Sequence, residues 1–380
     1  MTNKAILGVG PMEWATMSQR SRRDFLRLFF TGAGALAASS LLAACSGEDA
    51  TTSASGTGGG EVTVSVWGGE TEQAFRTTVV PRFKELTGAN VKFELGSGGD
   101  RFSKLLAQKG SPSVDIFINT GENVVQAYRQ GLLRDFDEAL VPNFKSLADW
   151  ARPAAYGAYG ASYGLVVYGL VTANQRVDSP LTSWRDLWRK DLQGHLALPN
   201  IPHSAMTQFL IVVSELNGGS IDDIEPGLAA LSELDPALLT FFWTDWAPAV
   251  QSGEVWAATE YDYEVVSMLN EEFDVQYNYP EEKGLAAGNI MSIVDREGNA
   301  ELAHEFVDLT LDSEVNSDFC AIWHGSPANQ QAVIRPEIEG LVYLANEILD
   351  KVRFFDDAEL ADRRAEWTQQ LETDVLPAWE

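Results

Sequence analysis

At 380 residues, with 45% hydrophobic side chains and a mean hydropathy of −0.12, the chain is long enough to bury a sizeable core and to form roughly two domains. Its 27 Lys/Arg against 55 Asp/Glu give a net charge of −28, and about −31 once residues 1–44 are set aside. That balance argues against nucleic acid, where phosphate neutralisation needs clustered basic side chains, and against electrostatic adhesion to anionic lipid.

In chain order, the first organised stretch is 21–45, SRRDFLRLFFTGAGALAASSLLAAC. A twin-arginine pair, Arg22 and Arg23, precedes Phe25-Leu26, an apolar run too short to span a bilayer, and small residues ending at a cysteine. The order matches a Tat-type export signal with a lipoprotein box. Residues 1–44 are therefore expected to be a signal peptide, and Cys45 the lipidated first residue of the mature protein. Met17 offers an alternative start. Residues 45–60 are small, polar and Gly-rich, as in a flexible linker. With Cys45 lipidated, Cys320 stands alone in an apolar-periodic stretch, which predicts a buried, inert thiol.

From residue 61 the pattern changes. Val62, Val64 and Val66 alternate as in a strand, and helical spacing over 70–86 stops at Gly88. A strand (91–95), helix (101–108), strand (114–118) and helix (123–130) follow, the signature of βαβ units around a mostly parallel sheet. The long apolar run 163–173 reads as a strand crossing between lobes. A second α/β set comprises helix 183–189, strand 195–198, helices 205–215 and 224–234, strand 239–243, helix 247–252, strand 255–259, helix 263–270 and strand 275–277. Residues 289–294 are again strand-like and return the chain to the first lobe; helices then dominate, ending with 361–371. In the 183–189 helix, Ser183 and Asp186 have capping-box spacing, and Trp184 and Trp188 read as packing.

Several blocks carry a resemblance: VSVWGGE (64–70), VDIF (114–117), QGLL (130–133) with VPNF (141–144), LTSWRDLW (181–188) followed by Gly194 and Leu198-Pro199, LNGG (216–219) and GEVW (253–256). Together they are similar to the extracellular solute-binding proteins of ABC importers, specifically the spermidine/putrescine-binding branch. The resemblance implies a two-lobe, periplasmic-binding-protein-like (type II) α/β fold with crossing hinge strands and an interlobe ligand cleft. Lobe 1 is then 61–163 plus 286–335, lobe 2 is 164–285, and 336–380 forms C-terminal helices packed on the lobes.

Carried over position by position, the family's cleft falls on Trp67, Gly68, Gly69, Glu70, Thr120, Glu122, Ile201, Ser204, Tyr261, Asp262 and Asn289. Trp67-Gly68-Gly69 ends a strand, where open α/β sheets hold ligands; the glycines let backbone approach and the indole offers a wall for a cation. Glu70, Glu122 and Asp262 supply carboxylates for a desolvated ammonium. Asn200–Ser204, Ala287 and Asn289 depart from the polyamine pattern, which carries acids and Trp at such places, so a singly charged or zwitterionic ligand stays open. The expectation is a monomeric, lipid-anchored, extracytoplasmic protein that passes a small, cationic, polyamine-like solute to membrane permease subunits, with no catalytic residue, cofactor or metal. Ferric iron, through Tyr261 and Tyr263, or thiamine remain alternatives, as does a secreted hydrolase using Ser162 in the G-x-S-x-G match at 160–164. His195, His203, His304 and His324 lack zinc-site spacing.

Overall fold

The computed structural model describes residues 59–152, 156–201, 203–240, 243–339, 342 and 347–379. The export segment with Arg22, Arg23 and Cys45, and the linker to residue 58, lie outside the described residues.

Strand β1 (Glu61–Val66) buries Val62, Val64 and Val66 on one face, and Thr63 and Ser65 turn to the other, which is also covered. The helix after it is one continuous run: α1 (Glu70–Ala74), a π-type turn (Phe75–Val79) and α2 (Val80–Thr87). It ends at Gly88, whose φ of 71° is left-handed backbone that glycine adopts without a Cβ penalty. Next come β2 (Asn90–Leu95), α3 (Gly98–Ala107), β3 (Ile116–Thr120), α4 (Gly121–Arg129) and the short β4 (Leu133–Arg134). β3 starts two residues later than the periodicity predicts. The Asp115 N–H still donates to the Thr63 carbonyl at 2.9 Å, but the Thr63 N–H goes to the Asp115 carboxylate at 2.8 Å, so a side chain takes one of the bonds at that point.

All thirteen residues of β5 (Ala161–Ala173) are buried. The segment 183–189 is a 3₁₀ turn (Trp184–Trp188) rather than an α-helix, closed by the predicted Ser183/Asp186 capping box. Trp184 is buried with its Nε1 on the Lys283 carbonyl, and Trp188 donates to Ala230, so both indoles pack. The second set is β6 (Leu196–Pro199), α5 (Ser204–Leu216), α6 (Glu225–Leu231), β7 (Pro236–Thr240), α7 (Trp243–Ser252), β8 (Ala257–Tyr261), α8 (Asp262–Asn270) and β9 (Val275–Asn278). β7 lies upstream of the predicted 239–243 because parallel pairing with β6 begins at Pro236, and Trp243 already opens a helix.

The return strand β10 runs from Gly284 to Val294, longer than its apolar core suggests. α9 (Ala300–Leu311), α10 (Ser313–Trp323), β11 (Ser326–Pro327), β12 (Val352–Arg353), α11 (Asp357–Gln370) and α12 (Leu376–Trp379) complete the chain. Cys320, on α10, is buried, and burial pushes its thiol well above its ordinary pKa.

Among the described residues the main strand order is β2-β1-β3-β10-β5-β8-β6-β7. β1 lies parallel between β2 and β3; β6 lies parallel between β7 and β8. The two parallel groups are joined only through β10 and β5, which run antiparallel to each other and to their outer neighbours. This is the two-lobe α/β architecture with crossing strands. α11 packs on α4 from the first group and α5 from the second. Arg129–Asp362 tethers it to α4, and Arg363–Asp222 to the loop before α6. No helix among the described residues is long and apolar enough to cross a membrane.

Candidate functional site

β2 and β3 flank β1 on opposite sides, so the strand order reverses at the carboxyl ends of β1 and β3. Such reversal points are where open α/β sheets hold ligands. Trp67, Gly68 and Gly69 occupy that edge, and Gly69 turns the chain from strand to helix at φ 71°. The Trp67 ring already carries a cation of the protein's own: the Arg101 guanidinium sits 4.5 Å from its centroid. Arg101 donates from Nε to the carbonyl of Gly96, just past β2, at 2.9 Å and from Nη1 to the carbonyl of Ile118, within β3, at 2.6 Å. Its Nη2 is buried without a partner, and burial lowers its pKa to about 10.

Glu70 opens α1 and accepts the Ser267 hydroxyl of α8 at 2.5 Å; burial, opposed by this bond, raises its pKa. Ser267 Oγ also lies 3.2 Å from His324 Nδ1, at the end of α10. Nearby, the Tyr263 ring of α8 stacks on Trp323 of α10. The two strand groups are therefore in contact at this edge.

Thr120 ends β3 opposite Asn289 of β10, and its hydroxyl is buried without a partner. The Asn289 carbonyl is 3.2 Å from Ser162 Oγ. Glu122, in the first turn of α4, is 1% exposed and takes Arg364 Nη1 of α11 at 2.5 Å; its pKa is raised by burial, against the pull of Arg364. Asp357 lies flat against Gly121, where a Cβ would meet its carboxylate at 1.8 Å. Burial, then Glu122 and Asp356, push Asp357 up to about 7.

On the second group, His203 caps α5 by accepting the Ala205 N–H, and Ser204 hydrogen-bonds the Tyr261 hydroxyl at the end of β8. His203 is held down at about 4 by burial and by the nearby charge of Arg364. Burial raises the Tyr261 pKa, and the charges of Glu260 and Glu122 add to that. Glu122, Arg364, His203, Ser204 and Tyr261 thus form one cluster drawn from α4, α11, α5 and β8.

Other residues named from sequence stand elsewhere. The Ile201 side chain is in the core. Asp262 accepts the Val167 and Tyr263 N–H groups at 2.9 Å and the Tyr279 hydroxyl at 3.3 Å. It lines a cavity of about 570 Å³ with Tyr277, Tyr279 and Lys351, and burial pushes it up to about 7. The rings of Trp67 and Tyr261 do not touch; Tyr261 packs on Tyr168, His203 and Tyr263. Tyr261 and Tyr263 send their hydroxyls to different partners, Ser204 and Glu264. No group of three or more His, Cys, Asp or Glu side chains able to hold a metal occurs among the described residues. Ser162 is fully buried inside β5, its Oγ bonded to the Gly164 carbonyl at 2.7 Å, not on a strand-to-helix elbow. Sequence reasoning missed Arg101 and Arg364. Each sits in a helix where a charged residue is ordinary, and no local pattern marks it as turning inward.

The profile of the bacterial extracellular solute-binding protein family matches residues 78–342. A spermidine/putrescine-binding periplasmic protein of Haemophilus influenzae is 23% identical over 247 residues, 61% of this chain; the match spans 66% of that protein's length. An ABC transporter structure from Clostridium perfringens superposes with a TM-score of 0.72 at 21% identity, covering 83% of this chain and 99% of that one. A spermidine/putrescine ABC transporter substrate-binding protein from Streptococcus pneumoniae gives a TM-score of 0.68 at 16% identity, covering 83% and 99%. At such identities the superpositions establish the two-lobe fold alone.

Proposed function

Because the chain belongs to the bacterial extracellular solute-binding protein family, we propose that it is the lipid-anchored binding subunit of an ABC importer and captures a small, amine-bearing organic solute between its lobes. The observation that carries this reading is the meeting of both strand groups at the carboxyl edge of β1 and β3. There Glu70 reaches Ser267, and Glu122 lies within the electrostatic reach of Tyr261. Trp67, Gly68, Gly69, Glu70, Thr120, Ser204, Tyr261 and Asn289 form the proposed contact surface; Glu122, Ile201 and Asp262 hold the surrounding structure. The amine is supported by the buried carboxylates and aromatic rings on both sides, and by the polyamine-binding relative. Closure is a hinge motion about β5 and β10; the solute favours the closed form by binding it better, and the permease receives that form. Arg22, Arg23 and Cys45 direct export and anchoring, leaving an extracytoplasmic monomer on its lipid.

A thermal-shift panel tests the amine reading with spermidine, putrescine, thiamine, betaines, sugars and ferric citrate. A ligand at 100 times its Kd stabilises the native state by about 2.7 kcal/mol. At least one amine at millimolar concentration should raise the Tm. A response to sugar or ferric citrate with none to any amine would contradict the assignment.

A further inference from the structure

Arg101 is 2% exposed, yet no described acid forms an ion pair with it. Glu94, an acid whose charge reaches it, is engaged by Lys104. Two of its three guanidinium nitrogens serve neutral carbonyls, and the third, Nη2, serves nothing. Two further buried hydroxyls without partners come from the strands on either side of β10, Tyr163 of β5 and Thr120 of β3; Tyr163 and Arg101 influence each other electrostatically. Buried donors are rarely left unmade, because the desolvation cost is then uncompensated. An uncompensated positive charge with spare donors, at the strand edge under Trp67, is complementary to an oxygen anion.

We propose that the cleft receives a carboxylate at Arg101 Nη2, assisted by the Tyr163 and Thr120 hydroxyls, so that the solute is a short amino acid whose ammonium and carboxylate stand at opposite ends. The proposal rests on the amine-binding reading above and narrows it. A carboxylate suits the position better than a phosphate dianion. One cation with one free nitrogen balances a single negative charge. The departures from the polyamine pattern at Ala287 and Asn289 agree, since a zwitterion needs fewer carboxylates than a diamine does.

The test is calorimetric titration of the whole exported protein with 4-aminobutanoate, 1,4-diaminobutane, butylamine and succinate, and with their five- and six-carbon homologues. A site built for a polar group rejects the analogue lacking it strongly, so an amino acid should bind at least about tenfold tighter than the diamine of equal length. Arg101→Lys, which keeps charge but not the fork, and Tyr163→Phe should each weaken the amino acid by about tenfold, with butylamine changed less than about twofold. Unfolding midpoints of both variants confirm that they are folded. Diamines binding as tightly as amino acids, or amino-acid affinity unchanged in both variants, would overturn the carboxylate position and leave the amine reading intact. Binding of succinate alone, with no amine bound, would remove both.

Discussion

Replacing Arg364 by alanine should destabilise the protein by about 3–5 kcal/mol near pH 8, because it leaves Glu122 ionised, buried and alone. Glu122 is 1% exposed and Arg364 is its ion-pair partner at 2.5 Å. The pH dependence fixes the mechanism. Burial already raises the folded pKa of Glu122 above the ordinary carboxylate range, and the charge of Arg364 is what restrains it. Without Arg364 the folded pKa rises further. A raised carboxyl pKa means that the folded state binds its proton more tightly than the unfolded state does. Stability is then fully present below the unfolded pKa and lost as pH climbs through the folded one. The deficit of Arg364→Ala against wild type should therefore be large at pH 8 and shrink as pH falls toward 5. Asp357, raised to about 7 and coupled to Glu122, works in the same direction. Urea unfolding across that range measures it, and Glu122→Gln combined with Arg364→Ala should recover most of the loss. A pH-independent deficit, or no rescue, would show that Arg364 matters for packing alone.

The second large effect is expected at Trp323. This side chain is 1% exposed and contacts Tyr163 edge-on at 5.1 Å, Tyr263 nearly parallel at 6.0 Å and Phe319 at 5.9 Å. Two glycines let the chain close around it: a Cβ at Gly164 would come within 2.5 Å of the indole, and one at Gly325 within 2.2 Å. Trp323→Ala leaves a cavity whose walls, β5, α8 and α10, cannot collapse easily, and should cost about 3–5 kcal/mol in urea unfolding. Because Tyr263 belongs to α8 and Trp323 to α10, the variant also loosens the contact between the two strand groups. Solute affinity should fall with stability. A loss below about 1 kcal/mol would mean that the aromatic cluster relaxes around the vacancy, against the packing argument.

The sequence announces most of the scaffold, because period and punctuation are local. Val62, Val64 and Val66 marked β1, Gly88 marked the end of its helix, and the Ser183/Asp186 pair marked a cap that the structure makes as a 3₁₀ turn. The long apolar run that became β5 was recognisable as a crossing strand because Gly164 and Gly169 interrupt an otherwise β-rich stretch. Boundaries moved where a non-local partner intervened, as at Asp115, whose carboxylate bonds the Thr63 N–H, and at β7, which pairs with β6 from Pro236. The charges of the site were the least legible. Glu122 could be picked out as an acid, but its partner Arg364 lies 242 residues away. Arg101 looks like any solvated helical arginine until the fold sets it against Trp67 and two backbone carbonyls. Sequence gives residue types near the cleft; only the fold decides which charges are already spent on one another.

The measurement that bears most directly on solute capture between two lobes is hydrogen–deuterium exchange of the protein with and without its best-responding amine. The account predicts slowed exchange together in the segments around Trp67–Glu70, Thr120–Glu122, Ser204 and Tyr261, drawn from both strand groups, with β5 and β10 protected in either state. Protection confined to one group of strands, or to a surface away from these segments, would contradict it.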